Sequence, residues 1–255
     1  MIFVRIAIKI LRVIMICSLL VSCASISAPQ SNTTLPTKAP TTVYRNASYI
    51  AEYSLVGLIL KSELIVRGRI TGSEDIINMA RDVNDYSKPD PRMFGIGQIY
   101  GFDVTQTIKV GGAVDVGAQI KVVQAEGLIT SPTTNPPSKE EIEAAKKIEQ
   151  GSPLIGNQEY ILFLKPMKEF DNLKGYYTGT AHPWQFVIEK GCAYPETPWE
   201  YAKYYYLPQE TDKFIAEIIA SLSAKVTPQP KMAYPAPGGE KSTCPPRIIT
   251  VAPYP

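Results

Sequence analysis

Histidine is nearly absent from this sequence: His182 is the single histidine in 255 residues. A Ser–His or Cys–His catalytic pair needs an imidazole base and would therefore have to use His182. That residue falls between two predicted strands, where a histidine in a surface turn is the alternative. Zinc ligation is also disfavoured, because Cys192 and Cys244 lie too far apart for a ligand motif. We therefore predict no catalytic residue, no metal ligand and no cofactor.

Acidic residues are absent from the first 22 positions, which carry Arg5, Lys9 and Arg12. A short apolar run over residues 13–20 follows, and small residues come after it. A basic start, a short apolar segment and small residues before a cleavage site are typical of a secretory signal peptide, here residues 1–22. The apolar run is too short and wrongly flanked for a spanning helix.

The end of this segment, Leu20-Val21-Ser22-Cys23, resembles the lipobox of bacterial lipoproteins. The resemblance implies that Cys23 is acylated and becomes the first residue of the mature chain. The protein would then be held at the extracytoplasmic face of the cell membrane by its lipid, or at the outer membrane if the host has one. The alternative is a chance cysteine after an ordinary signal peptide.

A strong net charge is absent once the signal is removed. The count of Lys and Arg falls from 26 to 23, against 24 Asp and Glu. A nearly neutral chain creates no long-range field toward nucleic acid or anionic lipid. We therefore expect no nucleic-acid partner.

The mature chain divides into three parts by composition. Residues 23–48 are rich in Ser, Thr and Pro and offer too little apolar surface to offset the entropy of ordering, so we expect a disordered tether. Residues 49–225 contain the regular apolar patterns of a folded domain. Residues 226–255 form a Pro-rich tail.

Within the domain, apolar residues alternate with a period of two, which predicts strands. The predicted strands are 62–72, 98–110, 119–124, 159–165, 175–180 and 185–190. Residues 159–165 are apolar on both faces and should be central, and the last two strands should form a hairpin. Shared parity predicts a core of Leu64, Val66, Ile70, Phe102, Val104, Ile108, Ile120, Val122, Leu162 and Phe186, with Val110 on the same face of its strand.

Three helical segments complete the pattern. A capping box that begins at Ser138 predicts a helix over about 138–150. An amphipathic stripe predicts a C-terminal helix over about 211–224. Residues 76–79 suggest one further turn of helix.

The order of several segments carries a second resemblance. After the strand Ser62–Ile70 come Thr107-Ile108-Lys109-Val110-Gly111, then the segment 117–122 with its Gly-x-x-Ile-x-Val pattern, then residues 156–164 around Tyr-Ile-Leu-Phe-Leu. This order resembles a group of uncharacterised exported bacterial proteins, although those often have Gly where Val110 stands. It is also similar to the netrin-like OB-type β-barrel of tissue metalloproteinase inhibitors.

The resemblance covers about residues 55–190. It implies a mainly β fold, a small OB-like (netrin-like) β-barrel with peripheral helices. The inhibitors bind zinc through a free N-terminal cysteine. An acylated Cys23 on a long tether has no such amine near the barrel, so that activity is not implied.

Two cysteines remain after Cys17 leaves with the signal and Cys23 takes the lipid. Disulfides persist in exported proteins, so Cys192 and Cys244 form one bridge or remain as two unpaired thiols. A bridge would pin the Pro-rich tail to the domain.

Candidate ligand contacts are aromatic. Trp184, Trp199, Tyr204 and Tyr205 could stack on a sugar or a peptide, and packing over the barrel is the alternative. A loop with Asp82, Asn84, Asp85 and Asp90 offers oxygen ligands for calcium but lacks the spacing of an EF-hand.

We interpret the chain as a membrane-anchored lipoprotein that is not an enzyme and binds a protein, a peptide or a glycan. Two rival interpretations remain open. The first is a structural or stress lipoprotein of the cell envelope, whose barrel only packs against other envelope components. The second is a hydrolase or metal-dependent enzyme.

Overall fold

The computed structural model describes residues 51–112, 116–148, 152–168, 170–197, 206–224, 242 and 244–247. The predicted signal peptide, Cys23, the tether and most of the predicted tail lie outside them. This part of the chain is mainly β, and its elements are α1 (Leu55–Lys61), β1 (Leu64–Asn78), β2 (Met93–Val110), β3 (Gln119–Thr130), α2 (Lys139–Ile148), β4 (Glu159–Pro166), a 3₁₀ turn (Asp171–Leu173), β5 (Tyr176–Gly179), β6 (Gln185–Glu189), β7 (Cys192–Glu196), β8 (Gln209–Glu210) and α3 (Thr211–Ser223). None of its helices has the length and apolar character needed to cross a bilayer.

The strands form one eight-stranded sheet in the order β1-β2-β3-β5-β4-β6-β7-β8. Strand β1 also pairs with β4, so the pairings β1–β2–β3–β5–β4 lead back to β1. The pairing of β3 with β5 is parallel. The other pairings are antiparallel.

The central, two-sided strand predicted at 159–165 is confirmed as β4. Its residues from Tyr160 to Leu164 are each 1% exposed or less. Leu162 lies between Val66 of β1 and Gln185 of β6, so the strand is covered along both edges as well as both faces.

The predicted core is confirmed in its parity. Eight of the ten residues are buried, while Val104 and Ile108 are partly buried and pack against the same cluster. Arg69 points to solvent. Val110 does not follow the prediction and is 48% exposed, since register shifts between β1 and β2 interrupt the strict alternation toward the end of β2.

Two connections differ from the prediction. Residues 76–78 continue β1 rather than forming a helical turn, because they pair with residues 96–98 of β2. The predicted hairpin of 175–180 with 185–190 is wrong. Strand β5 pairs with β3 and with residues 164–166 of β4, whereas β6 pairs with residues 159–162 of β4 and with β7.

The capping box is confirmed at the start of α2. Ser138 N donates to Glu141 Oε2 at 3.0 Å, and Glu141 N donates to Ser138 Oγ at 3.3 Å. Thr133 adds two more hydrogen bonds to the same carboxylate. These donors, the Ser138 amide first, lower the pKa of Glu141 to about 2. The C-terminal helix is confirmed as α3.

Glycines allow β1 and β2 to approach closely. A Cβ on Gly68 would collide with the backbone oxygen of Asp103 and with the ring of Phe102, and one on Gly101 would collide with the Thr71 hydroxyl. Glycine is the residue that permits such an approach inside a strand.

Candidate functional site

Of the four predicted aromatic contacts, the structure describes Trp184. Trp184 is 5% exposed and belongs to the main core, where its ring lies so close to Gly179 that a Cβ there would overlap it. Trp184 therefore packs, as the alternative interpretation held, and offers no open ring face. Trp199, Tyr204 and Tyr205 lie outside the described residues.

His182 is partly buried beside the N-terminal end of the domain. Its carbonyl oxygen accepts a hydrogen bond from Glu52 N at 2.9 Å. Burial lowers the pKa of the imidazole to about 4, so the ring is neutral at ordinary pH.

Cys192 and Cys244 are joined by a disulfide, with their Cα atoms 6.1 Å apart. The same C-terminal segment is held by Tyr194, whose hydroxyl donates to Pro245 O at 3.0 Å. Arg247 Nη2 lies 2.8 Å from Glu189 Oε1, and its Nη1 is paired with Glu196. Residues 244–247 are thus fixed against β6 and β7.

The acidic loop between β1 and β2 uses its side chains to build turns. Asp82 accepts a hydrogen bond from Asn84 N at 2.8 Å, and Asp85 pairs with Lys88 Nζ at 2.8 Å. Asp90 is fully buried and accepts from Arg92 N at 2.7 Å. Within the described residues, no three His, Cys, Asp or Glu side chains are grouped so that they could hold a metal ion.

The same loop displays two apolar side chains. Val83 is 60% exposed and Tyr86 is 70% exposed. The loop that carries them is closed by two backbone hydrogen bonds, from Asp82 N to Lys88 O at 3.1 Å and from Lys88 N to Asp85 O at 2.9 Å. Because the loop is closed by its own backbone hydrogen bonds, it holds these two apolar side chains at a defined place on the surface.

A second apolar cluster lies on the face of β2 and β3 that points away from the main core. Ile99 of β2 is paired with Val123 of β3, and both are buried. Met167 and Leu173, from the connection between β4 and β5, complete the cluster, with Phe170 and Tyr176 packed against it. We call this region the outer β2–β3 face: Ile99, Val123, Met167, Phe170, Leu173 and Tyr176, with the cations Arg81 and Lys121 that lie over its rings.

Each ring of this face carries a cation. The Cζ atom of Arg81 lies 3.6 Å from the centroid of the Phe170 ring, and Lys121 Nζ lies 6.0 Å from that of Tyr176. Lys121 is also paired with Glu74 Oε2 at 2.5 Å, and this hydrogen bond raises the pKa of the lysine. The contact between Arg81 and Phe170 joins the β1–β2 loop to the β4–β5 connection.

Arg81 is the unusual member of this group. Its Nε, Nη1 and Nη2 atoms are buried and have no hydrogen-bond partner among the described residues. Burial lowers the pKa of the guanidinium, yet arginine stays charged in proteins. A cation–π contact contributes about 0.5–2 kcal/mol. The effective cost of removing an ion from water is several kcal/mol, so the ring alone does not offset it.

Sequence reasoning missed this face for a definite reason. Ile99 and Val123 occupy positions that alternation assigns to solvent, and Phe170 belongs to a loop distant in sequence from Arg81. No local pattern connects these residues. The one available sign of this cluster in the sequence was an apolar residue at a strand position that should face solvent.

No protein-family model matches the chain, and a search of curated proteins finds no significant match.

Proposed function

We propose that this protein is an extracytoplasmic lipoprotein, anchored through Cys23, whose domain is an OB-like barrel that binds a protein partner and catalyses no reaction. The anchor is supported by the basic, apolar N-terminus and the sequence Leu20-Val21-Ser22-Cys23. The disulfide between Cys192 and Cys244 agrees with an exported protein.

Strand pairing supports the OB-like barrel. The circuit β1–β2–β3–β5–β4 returns to β1, as a closed five-stranded barrel requires. The closing pair of β3 and β5 is parallel, and α2 lies between β3 and β4 in the chain. This pattern agrees with the netrin-like resemblance of residues 55–190.

The observation that carries the binding role is the outer β2–β3 face. OB-type barrels bind ligands on the face of strands 2 and 3, between the loops that follow strands 1 and 4. Here the same face carries two partly buried rings, each with a cation over it, and these rings cover a buried apolar cluster. Beside it, the β1–β2 loop exposes Val83 and Tyr86.

A protein partner suits this surface better than a glycan. Tyrosine supplies a large contact area at low entropic cost, and loops on a rigid scaffold carry much of protein recognition. The rings of this face, Phe170 and Tyr176, are partly buried and each lies against a cation, so neither presents the flat open ring on which a sugar would stack.

The binding role can be tested by photo-crosslinking. A photoreactive phenylalanine analogue at Tyr86 of the full-length protein, in membranes of the producing cell, should capture one discrete partner. The matched control is the same analogue at Ile155, an exposed apolar residue on the α2–β4 connection, 55% exposed. Capture at Tyr86 alone, reduced by Val83→Ala, supports binding. Equal adducts at both positions, or none, would favour a purely structural envelope role.

The anchor needs a separate experiment. Mass spectrometry of the mature N-terminus should find an acylated Cys23, and Cys23→Ala should leave the precursor uncut or release the protein from the membrane. An intact, unmodified Cys23 in the mature protein would disprove the anchor and leave the binding role untouched.

A further inference from the structure

We infer that Arg81 is the recognition site for an oxyanion, a carboxylate or a phosphate carried on an apolar body, and that the partner bound on the outer β2–β3 face supplies this group. The inference deepens the proposed function and rests on it. It begins from the guanidinium of Arg81, which is buried against Phe170 without a hydrogen-bond partner among the described residues.

Other poorly exposed cations among the described residues have partners. Lys146 Nζ contacts Glu126 Oε2 at 3.0 Å and Gln98 Oε1 at 2.8 Å. Lys109 Nζ donates to two backbone oxygens at the end of α1. Arg247 contacts two glutamates. Three neutral or acidic groups of the described residues also have a buried atom without a partner, namely Asp90 Oδ2, Gln185 Oε1 and Thr211 Oγ1. Among the poorly exposed cations, Arg81 differs from the others, and its three unmatched donors indicate a place for an anion from outside the chain.

Two carboxylates near the outer β2–β3 face are already paired. Glu74 is paired with Lys121 at 2.5 Å, and Glu63 is paired with Lys168 at 2.6 Å. Asp90, on the same loop as Arg81, accepts a hydrogen bond from Arg92 N through Oδ1, while its buried Oδ2 has no partner among the described residues. None of these carboxylates forms a hydrogen bond with the Arg81 guanidinium.

The geometry suits an oxyanion attached to an apolar group. A guanidinium presents its donors as a planar fork that matches a carboxylate or a phosphate with two parallel hydrogen bonds. Phe170 covers this fork and is itself only partly buried, at the edge of the cluster. Displacement of its ring would uncover the guanidinium. The ligand's apolar body would then take the place of the Phe170 ring over Arg81 while its anion pairs with the guanidinium.

The test uses fragments that share one aromatic ring and differ in the group attached to it. Benzoate and phenyl phosphate carry the two oxyanions on one ring, and benzamide is the neutral control. Full-length protein with labelled arginine is titrated with each compound, and the Nε–Hε resonance of Arg81 and the thermal unfolding midpoint are followed. An oxyanion that binds the folded state should shift that resonance and raise the midpoint. The anion that binds more tightly shows whether the partner supplies a carboxylate or a phosphate.

The variants are matched within one loop. Arg81→Met should abolish the response to the anions, and Arg81→Lys should weaken it at least tenfold because the fork is lost. Arg92→Met removes an exposed cation from the same loop, with its side chain 74% exposed, and should leave the response unchanged. If Arg81→Met fails to fold, two measurements still test the inference. They are the response of the Arg81→Lys variant and the shift of the Arg81 Nε–Hε resonance in the wild type.

Three outcomes would overturn the inference: no response to either anion, an equal response to benzamide, or a response that survives in Arg81→Lys at full strength. A partner captured at Tyr86 together with any of these would leave the proposed function standing and remove the oxyanion from it. An anion response without any captured partner would retain the site and remove the protein-binding role.

Discussion

Replacing both disulfide cysteines with alanine is expected to lower the free energy of unfolding by about 4 kcal/mol. Cys192 and Cys244 are 52 positions apart in sequence. For a loop of this length, the chain-entropy relation gives a loss of about 14 cal/mol/K in the unfolded state, or about 4 kcal/mol at 25 °C. The native position of the segment should survive, because Tyr194 and Arg247 still hold it. Removal of the disulfide should therefore lower the free energy of unfolding mainly by increasing the conformational entropy of the unfolded chain.

The assay is equilibrium unfolding in urea of the oxidised wild type and of the Cys192→Ala/Cys244→Ala double variant. The midpoint should fall, and the slope m should rise somewhat because the unbridged chain exposes more surface when it unfolds. Reduced wild type is the control and should behave like the double variant. The reasoning fails if the double variant lies within about 1 kcal/mol of the oxidised wild type, the size of an ordinary substitution. It also fails if native oxidised protein yields two titratable thiols.

Leu162→Ala, at a fully buried position, should cost about 2–5 kcal/mol in the same urea assay, because the site is packed on both sides and cannot collapse. Gly68→Ala should cost about 1–3 kcal/mol through its collision with Asp103 and Phe102, while Gly156→Ala, with open space around it, should be nearly neutral. Burial lowers the pKa of His182 from 6.5 to about 4. The unfolded chain therefore binds more protons between these pH values, and the free energy of unfolding should fall as the pH drops through them. A urea series against pH should show a shallower fall in His182→Asn.

Alternation was enough to predict most of the strands but not their partners. The parity of Leu64, Val66, Phe102 and Val122 is a local property, and the structure keeps it. Pairing is not local. Strand β4 is long enough to receive β6 along residues 159–162 and β5 along 164–166, and this division replaces the predicted hairpin. Strand β7 was not among the strands predicted from alternation, and it forms along the edge that β6 offers.

The candidate site was harder to predict than the fold because its residues come from separate strands and loops and follow no helical or strand periodicity in the sequence. The outer cluster needs an apolar pair on β2 and β3 and a separate loop to cover it. The disulfide was easier to predict, because the predicted loss of Cys17 and lipidation of Cys23 leave a single possible pairing. Trp184 illustrates the opposite error, in which an aromatic residue near a turn suggests a surface contact but fills the core.

The polar groups inside the sheet show why the partnerless Arg81 carries weight. Tyr100 lies on the core face of β2, where its hydroxyl donates to Glu126 of β3. Burial, and then Glu126, raise the pKa of this tyrosine, so the hydroxyl remains a donor. Lys146 of α2 completes the group by contacting Glu126 at 3.0 Å. A buried network costs little only when its members are matched, and removal of one partner leaves the others at the full desolvation penalty. Among the described residues, Asp90 Oδ2, Gln185 Oε1 and Thr211 Oγ1 are also buried without a partner. Arg81 is the cation of this group, and its three unmatched nitrogens lie beside the Phe170 ring. A buried charge without a partner costs more than a neutral group, and such departures from local consistency are expected at functional sites.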